Sequence, residues 1–161
     1  MKPSDTFDKV LDQLQRFCAY QERSLHEVEQ KLRSTALPAT EQAQLIALLR
    51  EENFLNEERF AKAFVRGKFN IKRWGRKKIA SELYKHKVNK TSIQEALDSE
   101  ISEQGYQENI HHLITKKRKE LPASLDTFSL RNKLLAYLIQ KGYEPLAITD
   151  ILKEILRDNE P

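Results

Sequence analysis

The residues with the clearest chemical capacity lie between positions 60 and 90 of this 161-residue chain. Eleven Lys and Arg stand there against one acid, Glu82, for a local charge of +10. The flanking stretches, 1–59 and 91–161, each carry −3, so the net +4 of the chain comes from this one block. A block so one-sided repels itself and calls for an anionic partner. Arg66, Lys68, Lys72, Arg73, Arg76, Lys77 and Lys78, with Trp74 among them, are its candidate contacts. Arginine grips phosphate or carboxylate through two parallel N–H bonds, which suits a nucleic acid or an acidic protein groove. Neighbours on a helix diverge by about 100°, so these side chains cannot all share one direction. Arg66, Arg73, Arg76 and Lys77 around Trp74 are expected to form one face at a helix junction. Trp74 stacks on an exposed base, fills a partner's pocket or packs between repeats, and packing is the simpler role for a lone Trp in a thin-cored chain. Lys116, Lys117, Arg118 and Lys119 form a second basic run. It is either a second contact point or ordinary compensation at a helix C-terminus.

Catalytic and metal-binding patterns are missing. No Gly-rich phosphate loop followed by Lys-Ser/Thr occurs, and no Gly-x-Ser-x-Gly. His111 and His112 are adjacent and diverge on a helix, while His26 and His86 lie elsewhere. One cysteine, Cys18, gives no zinc spacing and no internal disulfide, and on an apolar stripe it reads as core. The expectation is a binding protein without enzyme activity, cofactor or metal. The start, Met1-Lys2-Pro3-Ser4-Asp5, has no signal-like apolar stretch, and no run is long enough to span a membrane. A cytoplasmic, soluble monomer is expected.

Helices must position these residues. Four glycines and five prolines leave little turn chemistry for a β-rich fold. Apolar residues recur three and four apart throughout. Phe7, Val10, Leu11, Leu14 and Phe17 predict a helix from about Asp5 to Tyr20. Ser24 with Glu27 has capping-box spacing ahead of Leu25, Val28 and Leu32. A third helix carries Leu45, Ile46 and Leu49 and ends near Asn53. Phe60, Phe64 and Val65 lie on a fourth, which Trp74-Gly75 breaks. Ile79, Leu83 and Val88 belong to a fifth and its exit. Thr91 with Gln94 repeats the capping-box spacing before a sixth, with Ile93 and Leu97. Three more follow, and Pro145 suits the first turn of the last.

These helices come in rounds. Ile79, Leu83, Val88, Ile93 and Leu97 match Leu134, Leu138, Tyr143, Ile148 and Leu152 at an offset of 55, and Val28, Leu32 and Leu37 match Ile79, Leu83 and Val88 at 51. One apolar template used three times is an internal repeat. The fold expected is all-α, with three tandem three-helix repeats at 5–55, 56–103 (the basic one) and 104–158. Short repeats bury little alone and stack on their neighbours, giving an elongated array, straight or curved.

The run Phe54-Leu55-Asn56-Glu57-Glu58-Arg59-Phe60-Ala61, followed by Val65-Arg66, resembles the signature of the RecX family, where a short acidic stretch precedes Arg-Phe-Ala and a Val-Arg. Gly75, Ile79 and Glu82-Leu83 fall where that family carries a Gly, an Ile and a Glu-Leu pair. Leu138-Ile139-Gln140-Lys141-Gly142-Tyr143 is similar to its Leu-x-x-Arg-Gly-Phe element. The opening, with Ser24, Glu27 and Lys31-Leu32, is similar to its first repeat. Asn56 stands where Asp is usual, and Lys141 where Arg is common. The stretch Lys68–Trp74 is bulkier than in most members. The resemblance implies a regulator, in most cases an inhibitor, of the recombinase RecA. It would bind in the groove of the RecA filament on single-stranded DNA and bear on homologous recombination, DNA repair and the SOS response. The residues alone leave two alternatives: a stand-alone helix-turn-helix-like nucleic-acid binder, and a protein adaptor whose basic block meets an acidic surface.

Overall fold

The structure, a computed structural model, describes residues 5–157. The residues Met1–Ser4 of the sequence start and Asp158, where the third repeat was expected to end, lie outside it. The described residues form nine helices and no strand: α1 (Asp5–Tyr20), α2 (Leu25–Arg33), α3 (Ala39–Glu51), α4 (Glu57–Asn70), α5 (Arg76–Lys85), α6 (Lys90–Glu100), α7 (Glu103–Glu120), α8 (Thr127–Gln140) and α9 (Pro145–Arg157). They follow one another in three rounds of three, as the apolar template predicts.

Local chemistry sets the helix ends. The Ser24 hydroxyl accepts the Glu27 N–H at 3.1 Å, and the Ser24 N–H donates to the Glu27 carboxylate at 3.3 Å, so the expected capping box opens α2. The box expected at Thr91 does not form. Asn89 precedes α6 instead, and its Oδ1 accepts the Ser92 N–H at 2.8 Å. Asn89 is itself held by Glu57, whose carboxylate accepts from the Asn89 backbone N–H at 2.8 Å and side-chain amide at 2.9 Å. Thr91 lies inside the helix, exposed. Pro145 is the first residue of α9, where its missing N–H costs nothing.

Cα packing divides the described chain into two compact units. One holds the residues up to Phe64 together with Leu83–Ala96; the other holds Val65–Glu82 and the residues from Leu97 on. In the first unit α1 packs on α3, and Phe7, Val10, Leu14, Cys18, Val28, Leu32, Leu45 and Leu49 are its core. Burial pushes the Cys18 thiol up to about 11, which fits a small apolar filler and not a nucleophile. The α5–α6 turn docks here on the start of α2. His86 Nδ1 lies 3.0 Å from Ser24 Oγ and 3.7 Å from the Glu27 carboxylate, with its ring against Phe60 and Phe64. Lys87, at φ 63°, pairs with Glu29 at 2.6 Å. Arg59 donates to Glu22 at 2.8 Å and to the Asn53 carbonyl at 2.9 Å, tying α4 to the residues before α2.

In the second unit α7, α8 and α9 pack against one another around Tyr106, Ile110, Ile114, Leu134, Leu138, Tyr143, Ile148 and Leu152. No helix among the described residues is long and apolar enough to cross a membrane.

Candidate functional site

The basic residues from Arg66 to Lys78 all lie in the second unit, on the end of α4, the turn after it and the start of α5. This turn is where the α8–α9 turn docks. The Gly75 N–H donates to the Lys141 carbonyl at 2.8 Å, and the Lys77 N–H donates to the Gly142 carbonyl at 3.0 Å. The first N–H groups of α5, which a helix leaves without partners, are thus met by the carbonyls that close α8. The opposite ends of the two helix dipoles also meet. Only glycines allow the approach. A Cβ on Gly75 would lie 2.3 Å from the Gly142 carbonyl carbon, and one on Gly142 would lie 2.4 Å from Lys78 Cβ. Gly142 also holds φ at 100°, a conformation that side chains rarely adopt.

Two tyrosines lock the joint. The Tyr143 hydroxyl donates to the Arg73 carbonyl at 2.7 Å. The Tyr106 hydroxyl donates to the Glu144 carboxylate and accepts the Arg76 N–H at 3.3 Å. Burial raises both phenols above their usual range, and for Tyr106 the bond to Glu144 raises it further. The joint repeats the one in the first unit. Ser24 and Gly75 are 51 positions apart, and the pair His86–Lys87 precedes Lys141–Gly142 by 55, the same offsets as the apolar template. In each case the turn between the second and third helices of one repeat docks on the start of the second helix of the repeat before.

This geometry sorts the basic residues. The Arg73 guanidinium donates to Asn109 Oδ1 at 2.7 Å, its backbone is left-handed at φ 56°, and the Asn109 amide in turn donates to the Phe69 carbonyl. The Arg76 guanidinium lies 3.9 Å from the Tyr106 ring centre and pairs with Glu103 at 3.4 Å. Arg66 pairs with Glu100 at 2.9 Å. All three arginines expected on the binding face have partners within the protein. The structure does bring Lys68, Trp74 and Lys78 together: the two ammonium groups sit 4.8 Å and 4.3 Å from the indole. Lys72 and Lys77 are exposed, and so is the Ile71 side chain in the turn, at 79%.

In the second basic run, Lys117 pairs with Glu120 at 3.5 Å and lies 5.0 Å from the Tyr137 ring, while Lys116 and Lys119 are exposed. Lys117, Arg118 and Lys119 occupy the last turn of α7, where cations offset the helix dipole. Arg118 and Lys119 also line two recesses of about 410 and 450 Å³. Sequence reasoning missed Tyr106, Asn109, Gly142 and Tyr143 as organisers of the basic turn. They lie about 30 or more residues beyond it, and only the apolar template, through Tyr143, and the Lys141-Gly142-Tyr143 likeness marked any of them.

Residues 56–97 match the second three-helix domain of RecX, and residues 104–152 match the third. The chain belongs to the RecX family. Regulatory protein RecX of Oceanobacillus iheyensis is 28% identical over 156 residues, covering 96% of this chain and 56% of its own length. That of a Clostridium botulinum strain is 37% identical over 112 residues, 69% of this chain and 51% of its own. The chain thus spans about half the length of these curated relatives. The crystal structure of RecX from Lactobacillus salivarius superposes with a TM-score of 0.81 at 25% identity, covering 94% of this chain and 97% of the other. A second RecX crystal structure, 20% identical, shares the fold with a TM-score of 0.78 over 91% of this chain and 73% of its own. These RecX relatives are named as regulatory proteins.

Proposed function

We propose that this chain regulates the RecA recombinase, as an inhibitor, by docking in the groove of the RecA filament on single-stranded DNA. RecX membership supports the regulatory role. The observation that carries the binding mode is the cationic surface at the α4–α5 turn, where Lys68 and Lys78 flank Trp74 beside exposed Lys72 and Lys77. Arg73 and Arg76 serve by holding the turn in shape, and Arg66 by pairing with Glu100. Lys116, Lys117, Arg118 and Lys119 supply a second contact, so that the basic central repeat and the third repeat meet one filament. The protein acts as a cytoplasmic monomer.

RecA ATP hydrolysis on single-stranded DNA, measured with and without the full chain, tests this reading. Inhibition that saturates with added protein is expected, together with co-sedimentation with the filament. Unchanged ATPase at saturating protein would overturn it. Binding to naked DNA as tight as to the filament, at one salt concentration, would favour a stand-alone nucleic-acid binder instead.

A further inference from the structure

The Lys68–Trp74–Lys78 cluster is built differently from a base-stacking platform. A platform offers an open aromatic face, on which a base gains its stacking contact. Here two ammonium groups already lie over the indole, at 4.8 Å and 4.3 Å, within the range where a cation is drawn to the ring. Both touch one ring, so they stand at most 9.1 Å apart. Charges on one nucleic-acid strand recur about every 3.4 Å along the axis, so neighbouring phosphates of a single strand can answer both.

The setting is anion-seeking as well. The first turn of α5 reads Arg76-Lys77-Lys78 and holds no acid. Cations at a helix N-terminus add to the positive end of the dipole, where anions are favoured. Exposed Lys72 and Lys77 extend the same charge. The backbone beneath is fixed, since the Trp74 N–H donates to the Lys68 carbonyl at 3.0 Å and the Lys77 N–H to the Gly142 carbonyl.

We infer that the indole of Trp74 is a positioning group that holds the Lys68 and Lys78 ammonium groups ready for a phosphodiester backbone, and that this site grips nucleic acid by its phosphates without stacking a base. The inference rests on the reading that the central repeat meets the filament on single-stranded DNA, and it names what is touched there.

Trp74 is the only tryptophan, so its fluorescence reports on this site alone. The full chain is titrated with (dT)15 and with a 15-mer of the same phosphate number made of abasic nucleotides. Equal affinities within about twofold are expected, with the same salt dependence. Stacking of even one base is worth roughly 5- to 150-fold at room temperature. A loss of about fivefold or more with the abasic strand would therefore overturn the inference. Labelled-strand anisotropy then reads the variants, with circular dichroism to establish that each is folded. Lys78→Gln and Trp74→Leu should weaken both strands alike, by several-fold. Trp74→Phe, which keeps an aromatic face, should bind within about twofold of the parent. An unchanged Lys78→Gln, or a Trp74→Phe as weak as Trp74→Leu, would count against the clamp. If neither strand binds while RecA ATPase is still inhibited, the clamp is wrong and the filament reading stands. If the strands bind as expected while ATPase is unaffected, the filament reading is wrong and the clamp stands.

Discussion

Replacing Gly75 with Ala puts one methyl group into a joint made of backbone. The new Cβ would lie 2.3 Å from the Gly142 carbonyl carbon, 2.4 Å from its oxygen and 2.5 Å from the Tyr143 nitrogen. None of these is the tip of a side chain that can swing aside, so the α8–α9 turn must move off the start of α5. That movement weakens the Gly75–Lys141 and Lys77–Gly142 hydrogen bonds, each worth about 0.5–1.5 kcal/mol. Overpacking of an interior adds about 1–3 kcal/mol. Reduced freedom of the unfolded chain gives back about 0.4–1 kcal/mol. The expected net loss is about 2–4 kcal/mol. Gly67 is the internal control. It sits inside α4, and nothing lies within 4 Å of the position its Cβ would take. Gly67→Ala should therefore stabilise the protein by about 0.5–1 kcal/mol through helix propensity alone. Urea unfolding followed by far-ultraviolet circular dichroism measures both. With a slope of about 2 kcal/mol/M, the midpoint should fall by about 1–2 M for Gly75→Ala and rise for Gly67→Ala. A Gly75→Ala midpoint within a few tenths of molar of the parent would refute the assignment of this turn as a close-packed joint.

Tyr143→Phe removes the donor to the Arg73 carbonyl and leaves that carbonyl short of a partner; urea unfolding should show a loss of about 1–3 kcal/mol. Arg59→Met strands Glu22, whose second carboxylate oxygen is already buried without a partner. The pair is partly exposed, so a loss of about 1–2 kcal/mol is expected from the same measurement, less than a buried pair would give. Cys18 should alkylate at pH 8 at least about tenfold more slowly in the folded protein than in urea, because burial both raises its thiol and shields the sulfur. A mass-spectrometric time course with iodoacetamide checks this. Stability should fall as pH rises from about 9 to about 11: folding favours the protonated thiol, and so the unfolded chain gives up the proton first. The raised tyrosines Tyr106 and Tyr143 act in the same direction at still higher pH, and urea midpoints at a series of pH values read the sum.

Much of the helical architecture was legible because it is written locally. The stripe from Phe7 to Phe17 predicted a helix with the observed bounds, Asp5–Tyr20. Ser24 and Glu27 are three residues apart and need nothing else to form their box. Thr91 had the same spacing to Gln94 and failed, because Asn89 is held in the capping position by Glu57, 32 residues away. The candidate site was legible as a charge and not as a surface. The fates of Arg66, Arg73 and Arg76 depend on Glu100, Asn109 and Glu103, each 27 to 36 residues farther along. Nothing near the arginines announces those partners. The lysines on Trp74 were within reach of a local reading, since Lys68 and Lys78 flank it in sequence. That both lie over its ring is decided by the folded turn.

Because Gly75 meets Gly142, the start of α5 is finished by residues made 67 positions later. On the ribosome, a nascent chain that has just emitted α5 has polar amides with nothing but water to bind. They must wait for the α8–α9 turn to be synthesised before they close. The earlier joint waits less, because the Ser24–Glu27 box supplies α2 with its own closure before His86 arrives. Synthesis and consolidation therefore run in the same direction, and the basic turn takes its final form after the earlier joint.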